Sequence, residues 1–329
     1  MAEALRAGLL GVGMMGRHHA RALRELDGVD LVAIADPGGD PHGVAGELPI
    51  LPDIDALIDA GIDIAVVAVP TAFHEAAALR LAEAGVHTLV EKPIADTVEA
   101  GQRMVEAFES AGLVGAVGHI ERFNPALQEL RRRLAAGELG EVYQIATRRQ
   151  GPFPSRIADV GVAKDLASHD VDLTAWVAQS EYATVFAQTA HKSGREHEDM
   201  IAATGRLQNG VVVNHLVNWL SPMKERVTTV TGELGALVAD TSTGDLTFFA
   251  NGTIPLEWES VSSFRGVSEG DMIRYSFAKR EPLKVEHENF RDAVLGNETD
   301  VVTMRQGLRT LAVVESMLDS ARRREVVTL

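Results

Sequence analysis

The chain has no cysteine among its 329 residues. That excludes disulfides, thiolate metal sites and a thiol nucleophile, and it suits a reducing cytoplasm. Long hydrophobic runs are also missing. The longest, such as 64–70, are strand-sized, far below the ~20 residues that span a bilayer. The start of the chain lacks the basic residues, apolar core and cleavage site of a secretory leader, so neither secretion nor a membrane partner is expected. Positive charge is in deficit: 31 Lys and Arg stand against 47 Asp and Glu, a net −16. Such a field repels a phosphate backbone, so no nucleic-acid partner is expected, although a small anion can still meet a locally positive pocket.

What is present has an ordinary globular balance, 46% hydrophobic and 24% charged residues. At roughly 150 residues per domain, the length suggests about two domains. Residues 1–120 alternate continuous apolar runs (5–10, 31–35, 64–69, 87–90, 113–117) with helical patterns (16–26, 54–58, 73–84, 97–111). The last helix has Asp96 or Thr97 as its cap and Gly112 past its end. Apolar strands separated by helices imply a parallel sheet covered on both faces, a doubly wound α/β fold. The pattern changes near Gly118. Asn124-Pro125 opens a helix to 136, 142–147 reads as a strand, 150–162 as a long loop and 164–178 as one helix. Strand-like stretches with short connections fill 182–250, and helices over 286–295 and 303–321 follow. The expected second domain, 121–329, is α+β with a largely antiparallel open sheet, its C-terminal helices packing back on the first domain.

Gly11-Val12-Gly13-Met14-Met15-Gly16 fits G-x-G-x-x-G between a strand and a helix, and Asp36 ends the next strand, 20 residues beyond Gly16. The glycines let backbone approach a pyrophosphate at a helix N-terminus, and the carboxylate accepts ribose hydroxyls. This context points to a Rossmann-type dinucleotide domain. A 2′-phosphate would face the charge of Asp36, and Pro37-Gly38 offers no basic replacement, so NAD is favoured over NADP. Glu91-Lys92-Pro93 follows a strand on the carboxyl edge of the sheet, where ligands bind. Asp165, His169 and Asp172 share a helical face at spacings of four and three. Taken alone, either group also reads as ordinary polar surface. Three ligands on one helix face suit a metal poorly, so none is expected.

Together these segments resemble the glucose–fructose oxidoreductase, inositol dehydrogenase and rhizopine-catabolism (Gfo/Idh/MocA) family. The likeness runs from the Gly11–Gly16 turn with Arg17-His18-His19-Ala20, through Pro70-Thr71-Ala72-Phe73-His74 and Glu91-Lys92-Pro93, to Lys164-Asp165 and His169-Asp170-Val171-Asp172. It implies hydride transfer between NAD and a sugar or cyclitol carbon. Gly11, Gly13, Met14, Met15, Gly16, Asp36, Pro70, Thr71, His74, Glu91 and Lys92 then line the cofactor. Lys92 and His169 flank the reacting hydroxyl, and Asp165 orients it. A histidine titrates near working pH, which gives His169 the larger share of the base role and leaves Lys92 to position the hydroxyl. Ala72 departs from the asparagine common in the family.

The segments around 118–125 and 159–165 are similar to members that oxidise nucleotide-linked amino sugars at the 3-position. A UDP-N-acetylhexosamine needs cations for its diphosphate. The substrate-binding set is therefore Glu121, Arg122, Asn124, Arg156, Lys164, Asp165 and His169, with one of Arg148 and Arg149 facing the pocket. An inositol or free-sugar dehydrogenase, a lyase or glycosidase with tightly held NAD, and a non-catalytic NAD sensor are the alternatives. The sensor needs none of Lys92, Asp165 and His169. The resemblance also implies subunits paired through the open sheet, a homodimer or homotetramer.

Overall fold

Strands made almost wholly of apolar residues need cover on both faces. In the computed structural model, which describes residues 4–154, 160–252 and 269–329, the first sheet has that cover. Its strands and helices alternate as β1 (Leu5–Leu10), α1 (Met14–Arg24), β2 (Val29–Ala35), β3 (Ile50–Leu51), α2 (Ile54–Asp59), β4 (Ile64–Val67), α3 (His74–Glu83), β5 (His87–Glu91), α4 (Val98–Ala111) and β6 (Gly115–Gly118). The six strands are parallel in the order β3-β2-β1-β4-β5-β6. Leu9, Leu23, Ile34, Ile64, Val66 and Leu89 form part of the core. The strand order reverses beside β1, which places the topological switch point at its carboxyl end. Thr97 caps α4 by accepting from the Ala100 amide, and Gly112 ends it with φ +65°.

The chain divides into two units, 1–120 with 281–312 and 121–280 with 313–329. The first unit thus contains α7 (Pro282–Val294) and the start of α8 (Met304–Arg323). Val117 donates its amide to the Val302 carbonyl at 2.9 Å, and Gly307 packs so closely on Val117 that a Cβ there would lie 2.6 Å from its side chain.

The second unit holds α5 (Pro125–Ala135), β7 (Val142–Pro152), α6 (Ser168–Ala178), β8 (Tyr182–Ala190), β9 (Met200–Leu207), β10 (Val212–Asn218), β11 (Leu220–Gly232), β12 (Gly235–Asp240), β13 (Asp245–Asn251), β14 (Glu269–Arg274) and β15 (Val327–Thr328). Among the described residues the sheet has nine strands, ordered β14-β13-β12-β11-β7-β10-β9-β8-β15, of which only the β7–β10 pairing is parallel. Leu127, Leu130, Ile145, Val171, Val213 and Val230 form part of its core, joined by Val313, Val314 and Met317 of α8. This is the expected α/β plus α+β architecture. Two local expectations are corrected. β7 continues to Pro152, where a loop was expected, because β11 pairs with Gln150 and Pro152, and Asn218 and Arg226 bond the side chain and carbonyl of Gln150. The helix expected over 164–178 opens as a π-turn, Ala163–Ala167, before becoming α-helical. A π-turn changes the helical phase, so Asp165 does not hold the uniform α-helical spacing to His169 and Asp172.

Candidate active site

At the end of β1, Gly11 takes φ +96°, and a Cβ there would stand 2.6 Å from the Ala68 carbonyl oxygen. A Cβ at Gly16 would stand 2.1 Å from the Gly11 carbonyl oxygen, whereas one at Gly13 would meet nothing within 4 Å. Two glycines therefore close the turn and the third leaves backbone open to an approaching group. Helix α1 has no side-chain cap and no acid in its first turn. Helices α2, α3 and α4 carry Asp55, Glu75 and Glu99 there. The amide end of α1 is thus left for an outside anion, with Met14 exposed and Met15 half-buried beside it. Asp36 accepts the Val12 amide at 2.9 Å and the Gly38 amide at 2.8 Å. Each oxygen keeps a lone pair for a ribose hydroxyl. These residues fit NAD, and Asp36 opposes a 2′-phosphate.

Pro70 is exposed and Thr71–Phe73 forms a 3-10 turn leading into α3. His74 is buried, its ring nitrogens each 3.0 Å from a carbonyl, those of Pro93 and Val69. Lys92 is half-buried at the end of β5, followed by a cis peptide to Pro93. Glu91 is buried. Its Oε1 lies 2.8 Å from His19 Nε2, and its Oε2 accepts the Lys92 amide at 3.1 Å. Burial works against its charge, but His19 and Lys92 outweigh that and hold its pKa below the usual carboxylate value. His19 Nδ1 in turn lies 2.9 Å from Nε2 of His287, on α7.

In the second unit, Glu198 pins the π-turn by accepting the Ala163 amide at 2.9 Å. Asp165 is buried there and His169 half-buried at the start of α6. Arg122 is buried and forks onto both oxygens of Asp172, at 2.7 and 2.6 Å. Arg149 bridges Asp170 at 2.8 Å and Glu121 at 2.9 Å. Burial disfavours the Glu121 charge, yet Arg149 keeps its pKa below normal, while burial prevails at Asp170 and raises its pKa. Asn124 caps α5 and donates to the Thr241 carbonyl. Lys164 reaches Glu315 at 2.6 Å, and Arg148 reaches Glu225 at 2.8 Å. Arg122, Arg148, Arg149 and Lys164, four of the cations expected to meet a diphosphate, thus face carboxylates. Arg156 lies outside the described residues.

Two buried arrangements carried no sequence signal. One is His19–His287. The other is His215, 2.8 Å from both Thr147 Oγ1 and the Tyr182 hydroxyl, with burial lowering its pKa to about 4. Among the described residues, no group of three His, Asp or Glu side chains is arranged to hold a metal. No described helix is long and apolar enough to cross a membrane.

The sheet order, the glycine turn and Asp36 define a dinucleotide-binding enzyme of the Rossmann class. Residues 5–119 match the oxidoreductase family with an NAD-binding Rossmann fold (GFO/IDH/MocA), and residues 127–238 match the GFO/IDH/MocA C-terminal domain. A UDP-N-acetylglucosamine 3-dehydrogenase from Acidithiobacillus ferrooxidans is 30% identical over 311 residues, 94% of each chain. A solved structure of that dehydrogenase superposes with a TM-score of 0.84 at 28% identity, covering 97% of this chain and 98% of the other. A scyllo-inositol 2-dehydrogenase (NAD(+)) from Bacillus subtilis is 32% identical over 195 residues, 56% of this chain and 57% of the other. The chain belongs to the GFO/IDH/MocA family and is an NAD-binding dehydrogenase.

Proposed function

We propose that this chain transfers a hydride between carbon 3 of a UDP-N-acetylhexosamine and nicotinamide. The observation that carries the reading is the extent of the match to the UDP-N-acetylglucosamine enzyme, 94% of both chains, against 56% of this chain for the scyllo-inositol enzyme. Bound NAD supplies the acceptor for the hydride that leaves the carbinol carbon. The Gly11, Gly13 and Gly16 turn, with Met14 and Met15, seats its pyrophosphate; Asp36 takes the ribose hydroxyls; Pro70, Thr71, His74 and Glu91 shape the strand ends beside it. His169 takes the proton of the reacting hydroxyl, Asp165 orients it, and Lys92 donates a hydrogen bond to its oxygen.

A free-polyol dehydrogenase is the second reading. It is favoured by the ion pairs that Arg148, Arg149 and Lys164 make with carboxylates, and Arg122 with Asp172. Measuring NADH formation with UDP-N-acetylglucosamine, UDP-N-acetylgalactosamine, free N-acetylglucosamine and myo-inositol separates the two. The nucleotide sugars should be turned over, with KM rising as salt rises. Turnover of myo-inositol with the UDP-sugars ignored would overturn the proposal. Sugar conversion without net NADH would point to the lyase chemistry instead.

A further inference from the structure

His19, Glu91 and His287 come from α1, β5 and α7, and all three are buried within the first unit. The proton positions in this trio follow from its neighbours. Glu91 is held ionised, so it only accepts, and the proton between it and His19 belongs to His19 Nε2. One proton lies between His19 Nδ1 and His287 Nε2. If it came from His19, His287 would have to carry its own proton on Nδ1. That atom is buried without a hydrogen-bond partner among the described residues, and a buried unmet N–H costs more than a bare lone pair. The proton therefore sits on His287 Nε2. Burial supports this by pushing the His287 pKa well down, which keeps the ring neutral. Both imidazoles then donate from Nε2, in one direction, toward the carboxylate. Hydrogen bonds aligned head to tail polarise one another.

The far end of this chain is the Lys92 backbone. Glu91 Oε2 accepts the Lys92 amide, and one residue further on His74 Nδ1 sits 3.0 Å from the Pro93 carbonyl. Lys92 thus projects from a short stretch held on both sides. The same His19 stands on α1, the helix that opens at the glycine turn. We propose that His19 and His287 are positioning residues: with Glu91 they form a one-way buried chain that fixes the Lys92 backbone against the dinucleotide-binding helix. The inference rests on the reading that Lys92 meets the substrate hydroxyl.

The test compares His287→Phe, which fills the ring volume without its nitrogens, with His287→Gln, which returns an amide donor near the Nε2 position. His287→Phe should lower kcat by about tenfold or more. Its NADH affinity should stay within about twofold of wild type, and His287→Gln should regain most of the lost rate. Proton–nitrogen NMR of histidine-labelled protein gives a readout that needs no substrate. The wild type should show slowly exchanging Nε2–H signals for both His19 and His287; Glu91→Gln should shift the first strongly and the second weakly. A wild-type kcat in His287→Phe overturns the proposal. So does a His287→Gln rate no better than that of His287→Phe, or nitrogen shifts that put the proton of either ring on Nδ1. If His287→Phe fails to fold, the wild-type and Glu91→Gln spectra decide the matter. Absence of wild-type turnover on every sugar sinks the proposed function instead and leaves the NMR comparison intact.

Discussion

Asp36 already accepts two backbone amides, those of Val12 and Gly38, so its carboxylate shapes the glycine turn as well as facing the adenosine ribose. Asp36→Ala should therefore weaken NADH binding about ten- to a hundredfold, the range of a lost charge-assisted hydrogen bond or two. NADPH should lose less, because the charge that opposes its 2′-phosphate is gone as well. Fluorescence titration of both nucleotides checks the narrowed ratio; equal binding of both by the wild type would remove Asp36 as selector. At the reacting hydroxyl, His169→Ala and Lys92→Ala should each lower kcat by about a hundredfold or more while NADH still binds. Alcohol oxidation should quicken with rising pH, since only neutral His169 accepts a proton. A flat profile with near-normal turnover in His169→Ala would leave Lys92 as the base. Residues of this kind are legible in a sequence because local spacing carries them: a glycine turn, an acid at the next strand end, a charged pair after a strand. His287 is not, because its meaning lies in a contact with a residue 268 positions away.

The elements of the second unit rest on buried charge. Arg122 stands at the entrance to α5 and Asp172 within α6, and the pair is almost fully buried. Arg122→Met should cost about 3–5 kcal/mol by leaving a buried carboxylate without its guanidinium, and Asp172→Leu added to it should restore much of the loss. Urea unfolding of the single and double variants measures this; additive losses would mean that the pair does not couple. On β10 of the sheet, burial lowers the pKa of His215 to about 4 when folded, below the ordinary histidine value, so the unfolded chain binds its proton more readily. Stability should thus fall as pH drops below about 6.5, by about 3 kcal/mol at pH 4 from this group alone. His215→Gln should flatten that slope. The helices and strands around these pairs were legible from apolar spacing and caps. The extension of β7 and the π-turn were not, since Gly151 and Pro152 look like loop until β11 pairs with them, and the phase of a helix is altered by packing rather than by composition.

At the scale of the whole molecule, Leu220, Met223, Phe249, Met272 and Ile273 on the strands of the nine-stranded sheet are exposed. A homodimer or homotetramer paired through this sheet is expected, which light scattering checks: a mass near the 35.3 kDa of one chain at micromolar concentration would contradict it. The first unit is discontinuous in sequence, since 281–312 belongs with 1–120. A fragment ending at residue 120 should bind NADH poorly, because it lacks the Val302 and Gly307 contacts on Val117 that complete the edge of its sheet; joining 281–312 to it by a flexible linker should recover binding. Full-strength NADH binding by the short fragment would show these contacts to be dispensable.

That interleaving also sets an order of events on the ribosome. Domains usually fold as they emerge, N-terminal first. Here the nascent nucleotide unit waits for its own missing piece while 160 intervening residues, 121–280, are made. Its glycine turn should therefore become fully competent only after residue 312 has been made, and NADH supplied during synthesis should protect nascent chains from protease only once residue 312 has cleared the exit tunnel.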